Sequence, residues 1–149
     1  FELLELTKMA RPGRDEYRYI RIRYENADLL PIGNGAGGRI GSYRVYRVSP
    51  EHIMISPVAS RYDELNRVLG YLQFGRYESE VLVALCGENA RPAIETALGE
   101  FHASGLLSRV RPGEYLLTPD GIFWGNNMAV ALLERIVTPL ASNKTTPVP

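Results

Sequence analysis

Residues 33–41 read GNGAGGRIG, which places five glycines in nine positions. Glycine has no Cβ, so such a stretch lets a ligand or another chain segment reach the backbone directly. The short apolar run at residues 28–32 comes just before it and is predicted to form a buried strand. Residues 42–48 alternate in the manner of a strand. The sequence therefore predicts a glycine loop between two strands.

The glycine loop admits two other interpretations. Gly33, Gly35 and Gly38 satisfy the G-x-G-x-x-G pattern of dinucleotide-binding proteins. That pattern requires a helix after the loop, because the helix N-terminus receives the pyrophosphate, whereas an alternating strand follows here. The dinucleotide interpretation is therefore rejected. A turn or bulge that binds no ligand stays open, since glycine clusters also occur in plain turns.

The periodicity of apolar residues organises the rest of the chain. Residues 14–26 have helical spacing after Pro12-Gly13, with an alternating strand as the alternative. The pattern further predicts a helix from Ser60 onward, helices at 80–86, 91–104 and about 126–137, and a hairpin at 106–117 that turns at Pro112-Gly113. The tail, residues 142–149, is expected to be disordered.

The charge balance argues against nucleic acid and membranes as partners. Seventeen basic residues face seventeen acidic ones, so the 149-residue chain has no net charge at pH 7. A neutral chain lacks the field that attracts polyanions. No apolar run reaches the length of a membrane span, and the first residues lack the basic leader of a signal peptide. A cytoplasmic location is therefore expected.

A single cysteine, Cys86, limits the chemistry further. One thiol excludes an internal disulfide, a Cys-x-x-Cys redox pair, a structural zinc knuckle and the three-cysteine cradle of an iron–sulfur cluster. We expect Cys86 to be a buried helix residue, because apolar residues precede it.

The order helix, helix, hairpin over residues 80–124 is typical of a winged helix-turn-helix domain. Such a domain reads DNA when its second helix carries basic and amide side chains. Here that helix offers Arg91 together with Glu95 and Glu100, and the two carboxylates would repel phosphates. A small packing module fits this composition better than a DNA reader.

Two motifs resemble one enzyme family. Residues 29–41, LLPIGNGAGGRIG, resemble the glycine motif near the end of the barrel in the oxygen-independent coproporphyrinogen III oxidase family of radical S-adenosylmethionine enzymes. The form GAGG looks closest to the anaerobic heme-utilisation branch, whose members open heme by a radical methyl transfer. Residues 105–107, GLL, and 115–127, YLLTPDGIFWGNN, are similar to the C-terminal winged-helix-like domain of the same family.

This resemblance implies an α+β fold. Residues 1–56 would be the terminal strands and helix of a partial (β/α) barrel with the glycine loop, and residues 57–141 a mostly helical winged-helix-like domain. The loop would lie against the adenine and sugar of S-adenosylmethionine. The implied cofactor-binding residues are Gly33, Gly35, Ala36, Gly37, Gly38 and Ile40, and no catalytic or metal-binding residue is implied.

The chain departs from the family in one important respect. The cluster motif Cys-x-x-x-Cys-x-x-Cys is absent from it. The resemblance implies that the [4Fe–4S] cluster and S-adenosylmethionine belong to a full-length parent, and that this chain alone is inactive and holds neither tightly. Its implied partners are a heme or porphyrin substrate and an upstream barrel portion. The alternatives are a winged-helix DNA-binding regulator and a heme chaperone of the same family.

The sequence also indicates roles for three arginines and for the single tryptophan. Arg18, Arg21 and Arg23 lie on the predicted first helix, where they could bind the propionates of a porphyrin; a solvated helix face is the other interpretation. Trp124 is expected to be a core anchor for the last helix.

Overall fold

The structure, a computed structural model, describes residues 1–59 and 61–142, with side chains described as far as residue 137. Helices and three small antiparallel sheets are the regular elements of the described residues, which confirms the α+β fold class; no barrel is present among these residues. Contacts divide the chain into two units. The sheet unit is Tyr17–Arg67, and the core unit combines Phe1–Glu16 with the chain from Val68 onward.

The elements follow one another as eight strands and five α-helices in the described residues. In chain order they are β1 (Glu2–Glu5), β2 (Lys8–Ala10), α1 (Arg18–Tyr24), β3 (Ala36–Ile40), β4 (Tyr43–Arg47), β5 (Ile53–Pro57), α2 (Tyr62–Gln73), β6 (Arg76–Glu78), α3 (Ser79–Cys86), α4 (Arg91–Ala103), β7 (Leu107–Arg111), β8 (Glu114–Leu117) and α5 (Pro119–Ser142). A 3₁₀ turn at Glu88–Ala90 joins α3 to α4.

The sheet unit is built on three antiparallel strands in the order β3-β4-β5. The register is regular: Gly37 lies opposite Tyr46, and Val45 lies opposite Ile55. The central strand β4 forms as its alternating sequence predicts. Its partner β5 is an edge strand whose five residues are all exposed, although Ile-Met-Ile begins it. The sheet therefore leaves a row of apolar side chains in contact with solvent.

The predicted strand and loop around the glycines need correction. Residues 28–32 do not form a strand; they contribute a single bridge between Leu29 and Arg39. Leu30 and Ile32 are 72% and 83% exposed, so within this run only Pro31 is buried. Conversely, part of the predicted loop is strand β3. Pairing with β4 imposes the extended conformation on residues whose own preference for strands is weak.

The core unit holds the main hydrophobic core. Its buried side chains come from α2, β6, α3, α4, β7 and α5, and Leu72, Leu82, Ile94 and Leu132 have no exposed surface. A second three-stranded sheet, in the order β6-β8-β7, packs with these helices. Because α5 buries one side against this cluster, it forms part of the core unit rather than an appendage.

Most helices of the second half confirm the predictions. The helix from Ser60 onward appears as α2, the next two as α3 and α4, and the predicted hairpin as β7 and β8. The last helix begins seven residues earlier than predicted, at Pro119. Thr118 explains this start, because its hydroxyl oxygen accepts a hydrogen bond from the Gly121 N–H at 3.0 Å, and proline is favoured in a first turn.

Other predictions for the ends of the chain are only partly met. The first helix forms, and not the alternative strand, but it spans seven residues and begins after Tyr17 in a left-handed conformation. Strands β1, β2, β5 and β6 are not among those that the sequence predicts. Apart from Ser142, which ends α5, the tail that was expected to be disordered lies outside the described residues.

Two single-residue assignments can now be checked. Trp124 is not a core anchor: its side chain is 49% exposed and meets the more exposed Phe123 edge to face, with ring centroids 5.1 Å apart. Cys86 ends α3 and is only partly buried. Within the described residues, no helix is both long enough and apolar enough to cross a membrane.

Candidate functional site

A groove of about 480 Å³ lies within the sheet unit, beside the glycine strand β3. Its floor includes Gly37 and Gly38, which are two of the six predicted cofactor-binding residues. Its other lining residues are Tyr19, Arg23, Asn26, Ala27, Leu29, Arg39, Arg44, Val45, Tyr46, Met54, Ile55, Ser56, Tyr62 and Asn66. Gly33, Gly35, Ala36 and Ile40 are not among the lining residues.

At Gly37 the backbone of β3 is accessible from the groove. It lies opposite Tyr46 across the β3–β4 pair, and a Cβ built at Gly37 would lie 3.6 Å from Tyr46 Cδ2. Side chains alternate between the faces of a strand, so Gly37 and Arg39 share the face that carries Tyr46 and Arg44. A side chain at Gly37 would therefore occupy space next to the Tyr46 ring.

Gly38 serves packing rather than ligand access. A Cβ at this position would overlap the Leu29 carbonyl oxygen and would lie 2.8 Å from Pro31 Cδ. The close approach is held by two backbone hydrogen bonds: Leu29 N–H donates to the Arg39 carbonyl at 2.8 Å, and Arg39 N–H donates to the Leu29 carbonyl at 3.0 Å. Gly38 is therefore required by the fold itself.

The remaining predicted residues shape the turn and the opposite face. Gly33 and Gly35 have φ angles of 95° and 75°, which favour glycine, and Gly35 N–H donates to the Arg47 carbonyl at 2.7 Å. Ala36 begins β3 opposite Arg47. Ile40 is 47% exposed and lies on the face opposite that of Gly37. These four residues support the strand without lining the groove.

An ion pair ties the glycine strand to α2. Arg39 binds both carboxylate oxygens of Asp63, with Nη2 to Oδ2 at 2.9 Å and a second, shorter bond from Nη1 to Oδ1. Two parallel bonds of this kind fix orientation as well as distance. The hydrogen bonds from Arg39 hold the pKa of Asp63 below its ordinary value.

Two asparagines extend the polar network around this ion pair. Asn26 Nδ2 donates to the Asp63 carbonyl at 3.0 Å, and Asn66 Nδ2 lies 2.7 Å from Asn26 Oδ1 and 3.0 Å from the Arg23 carbonyl. Since these residues come from α1, α2 and the segment after α1, the network joins the walls of the groove. The groove is thereby held in one shape before any ligand enters.

The titration of Asp63 gives a testable pH dependence. Its pKa is lower in the folded state than in the unfolded state, so its stabilisation is present above about pH 4 and is lost as the pH falls further. We expect Asp63→Asn to lower the amide protection of Arg39 at pH 7. In the wild type this protection should fall further below pH 4, whereas in Asp63→Asn it should change little there. Hydrogen exchange at several pH values measures both effects.

Glu64→Gln provides the control for Asp63→Asn, because Glu64 is the next residue and contacts Arg61 at 2.9 Å instead of Arg39. Equal exchange profiles for the two variants would contradict a specific role of the Arg39–Asp63 pair.

The groove is cationic and aromatic. Three arginines line it, Arg23, Arg39 and Arg44, and no aspartate or glutamate is among its lining residues. The guanidinium carbon of Arg44 lies 5.5 Å from the centre of the Tyr62 ring, which is within the range of a cation–π contact. Tyrosine rings and guanidinium groups together suit a flat, partly apolar ligand that carries negative charge or hydrogen-bond acceptors.

Sequence reasoning found the glycines of this groove but missed its walls. Tyr46 and Arg44 could have been found, because alternation along the predicted strand at 42–48 places them on one face. No sequence pattern places Tyr62 and Asn66 in the groove, because their position depends on how α2 packs against the sheet. Of the three arginines noted on the predicted first helix, Arg23 alone lines the groove.

A scan against models of protein families gave no match for this chain. Searches of curated proteins and of solved structures gave no match either. In the described residues, no three histidine, cysteine or carboxylate side chains come together in a way that could hold a metal ion.

Proposed function

We propose that the chain is the C-terminal portion of a radical S-adenosylmethionine enzyme that acts on heme or a related porphyrin. The observation that carries this proposal is the position of Gly37, in the floor of an aromatic and cationic groove, within the motif that resembles the family. The iron–sulfur cluster does not fit this chain, because Cys86 is its single cysteine. The cluster would belong to the upstream portion of the parent.

The composition of the sheet unit supports an origin in a larger sheet. Among the described residues of this unit, Pro31 and Val45 are the buried ones. Strand β5 exposes Ile53, Met54 and Ile55 by 52–65% and has no charged residue, although edge strands of complete sheets are usually protected by charge or bulges. Its strands are antiparallel, unlike the parallel strands of a (β/α) barrel, so in the parent this sheet would lie beside the end of the barrel, and upstream residues would cover its exposed edge.

The groove has the chemistry that this function requires. A residue without Cβ at position 37 leaves the backbone open to the adenine or sugar of the cofactor. Tyr46 and Tyr62 offer rings for stacking, and Arg23 and Arg44 offer donors to carboxylates. In this assignment Gly37 contacts the cofactor, Gly38 holds the strand in place, and Gly33 and Gly35 shape the turn.

A DNA-binding regulator is the second candidate, because one observation favours it. The order α2, β6, α3, α4, β7, β8 and the sheet order β6-β8-β7 are those of winged-helix domains. However, α4 exposes Glu95 and Glu100, and the arginines beside them are already bound: Arg91 by Glu80 and Glu88 at 2.6–3.1 Å, and Arg135 by Glu100 at 2.7 Å. Phosphates would be repelled there. We therefore assign the core unit to a winged-helix-like packing module of the enzyme.

The test uses Gly37→Val in the full-length parent. A branched side chain beside Tyr46 would block the backbone, so we expect the affinity for S-adenosylmethionine to fall at least tenfold in calorimetry. Thermal unfolding should change little, because valine suits a strand. Ala36→Val is the matched control: it adds a valine to the adjacent residue, which faces the other side of β3.

Equal affinity in Gly37→Val and Ala36→Val would overturn the cofactor assignment. Cofactor binding without any radical cleavage of S-adenosylmethionine in the reduced parent would instead favour the heme chaperone of the same family.

A further inference from the structure

Two arginines of the groove in the sheet unit share one carboxylate. Arg39 and Arg44 lie directly opposite each other across the β3–β4 pair. Opposite residues of antiparallel strands have Cβ atoms about 4.5–5.5 Å apart, so like charges at these positions repel each other. Asp63 binds both terminal nitrogens of Arg39, whereas Arg44 makes no ion pair with the described residues. The pair therefore carries two positive charges and one negative charge.

The groove supplies no other acid that could neutralise the second arginine. None of its lining residues is an aspartate or a glutamate, and Arg23, which also lines it, makes no ion pair with the described residues either. Other arginines of the chain do have such partners: Arg61 pairs with Glu64, Arg111 with Glu114 and Arg135 with Glu100. A concave surface with unbalanced positive charge favours an anionic ligand.

A hydroxyl group lies next to Arg44 on the same face of the sheet. Ser56 is opposite Arg44 in the β4–β5 pair, and it lines the same groove. The Tyr62 ring, 5.5 Å from the Arg44 guanidinium carbon, gives this arginine a neighbour from α2. A guanidinium fork beside a hydroxyl donor matches the two oxygens of a carboxylate.

The next row of side chains on this face is uncharged. It consists of Gly37, Tyr46 and Met54, which lie opposite one another in the three strands. Because Arg44 and Tyr46 are two residues apart along β4, the two rows are about 7 Å apart. A tyrosine ring and a methionine beside a residue without a side chain suit a flat ring. The two rows thus fit a ligand that carries an anionic group about 7 Å from a ring.

We propose that Arg44 and Ser56 bind the carboxylate of the ligand in this groove. One guanidinium without a partner balances one charge, which a carboxylate carries, whereas a phosphate monoester carries nearly two at pH 7. This inference rests on the function proposed above, in which two molecules bear a carboxylate. They are S-adenosylmethionine, through its methionyl part, and the porphyrin, through its propionates.

The experiment compares ligands with and without the carboxylate in the full-length parent. Calorimetry measures S-adenosylmethionine against 5′-methylthioadenosine, and absorbance titration measures a porphyrin dicarboxylate against its dimethyl ester. For one of these pairs we expect the wild type to prefer the carboxylate by about tenfold, because hydrogen bonds to charged groups are strong. Arg44→Gln should remove most of this preference, and Ser56→Ala part of it. The pair that responds identifies the source of the carboxylate.

Arg47→Gln is the matched control, because it makes the same chemical change in the same strand. Arg47 lies opposite Ala36 and, by alternation, on the other face of the sheet. It should leave both preferences unchanged. Arg44→Gln should not lower the melting temperature, since it removes the repulsion from Arg39. If Arg44→Gln does not fold, Ser56→Ala carries the test.

The carboxylate subsite is overturned if Arg44→Gln weakens the ligands with and without a carboxylate equally, or if Arg47→Gln has the same effect as Arg44→Gln. It is also overturned if the parent binds S-adenosylmethionine or the porphyrin and neither Arg44→Gln nor Ser56→Ala changes the preference; the proposed function then stands. A wild-type parent that binds neither molecule overturns the proposed function and the subsite together.

Discussion

Gly38→Ala is expected to lower the amide protection of Leu29 and Arg39 by about 30-fold. The added methyl group would overlap the Leu29 carbonyl oxygen, so the segment before β3 must move away. The two hydrogen bonds between Leu29 and Arg39 would then be lost. Each contributes about 1 kcal/mol to stability, and about 2 kcal/mol corresponds to the 30-fold change. Hydrogen exchange followed residue by residue by NMR measures this effect.

Gly37→Ala is the control, since it makes the same chemical change one residue away. Its Cβ would meet Tyr46 Cδ2 at 3.6 Å, which is an ordinary van der Waals contact. The structure assigns no left-handed φ to either glycine, so backbone strain does not separate the two variants. Similar protection at Leu29 in both variants would show that residues 29–31 do not pack against β3 as described.

The helices and the hairpin of the second half could be predicted because residues close together in the sequence specify them. Apolar residues at helical spacing mark α2, and Pro112-Gly113 marks the turn of the hairpin. The last helix was predicted to begin too late, because Gly121 and Gly125 interrupt the helical sequence pattern over its first turns. Both glycines are buried in the structure, so packing requires the residues that made the helix hard to recognise.

The sheet unit could not be predicted to the same extent, because its conformation depends on pairing. Residues 36–40 contain two glycines and would not form a strand alone; β4 holds them in register. The dependence on tertiary contacts also limits how much of the candidate site could be predicted. The sequence shows that Gly37 and Gly38 both lack a side chain. It does not show that the Leu29 carbonyl, nine residues before Gly38, packs against Gly38 and not against Gly37. Both glycines line the groove, and only the tertiary approach of Leu29 shows that the fold requires one of them, Gly38.

Gly121→Ala is expected to destabilise the core unit by about 2–3 kcal/mol, because added atoms in a packed interior force the surroundings to shift. A Cβ at Gly121 would overlap the Leu106 carbonyl oxygen and lie 3.0 Å from Leu117 Cδ2. That carbonyl also accepts the Thr118 N–H at 3.1 Å, so displacing it disturbs the start of α5. We expect the melting temperature to fall by roughly 5–10 °C, as followed by circular dichroism.

Gly99→Ala is the matched substitution and should have the opposite sign. Gly99 lies on the exposed side of α4, and a Cβ there would meet no atom within 4 Å. Alanine is favoured over glycine inside a helix by about 0.5–1 kcal/mol, so this variant should melt a few degrees higher than the wild type. Stabilisation by both substitutions would mean that α5 does not approach Leu106. Destabilisation by both would mean that Gly99 has a contact beyond the helix to which it belongs.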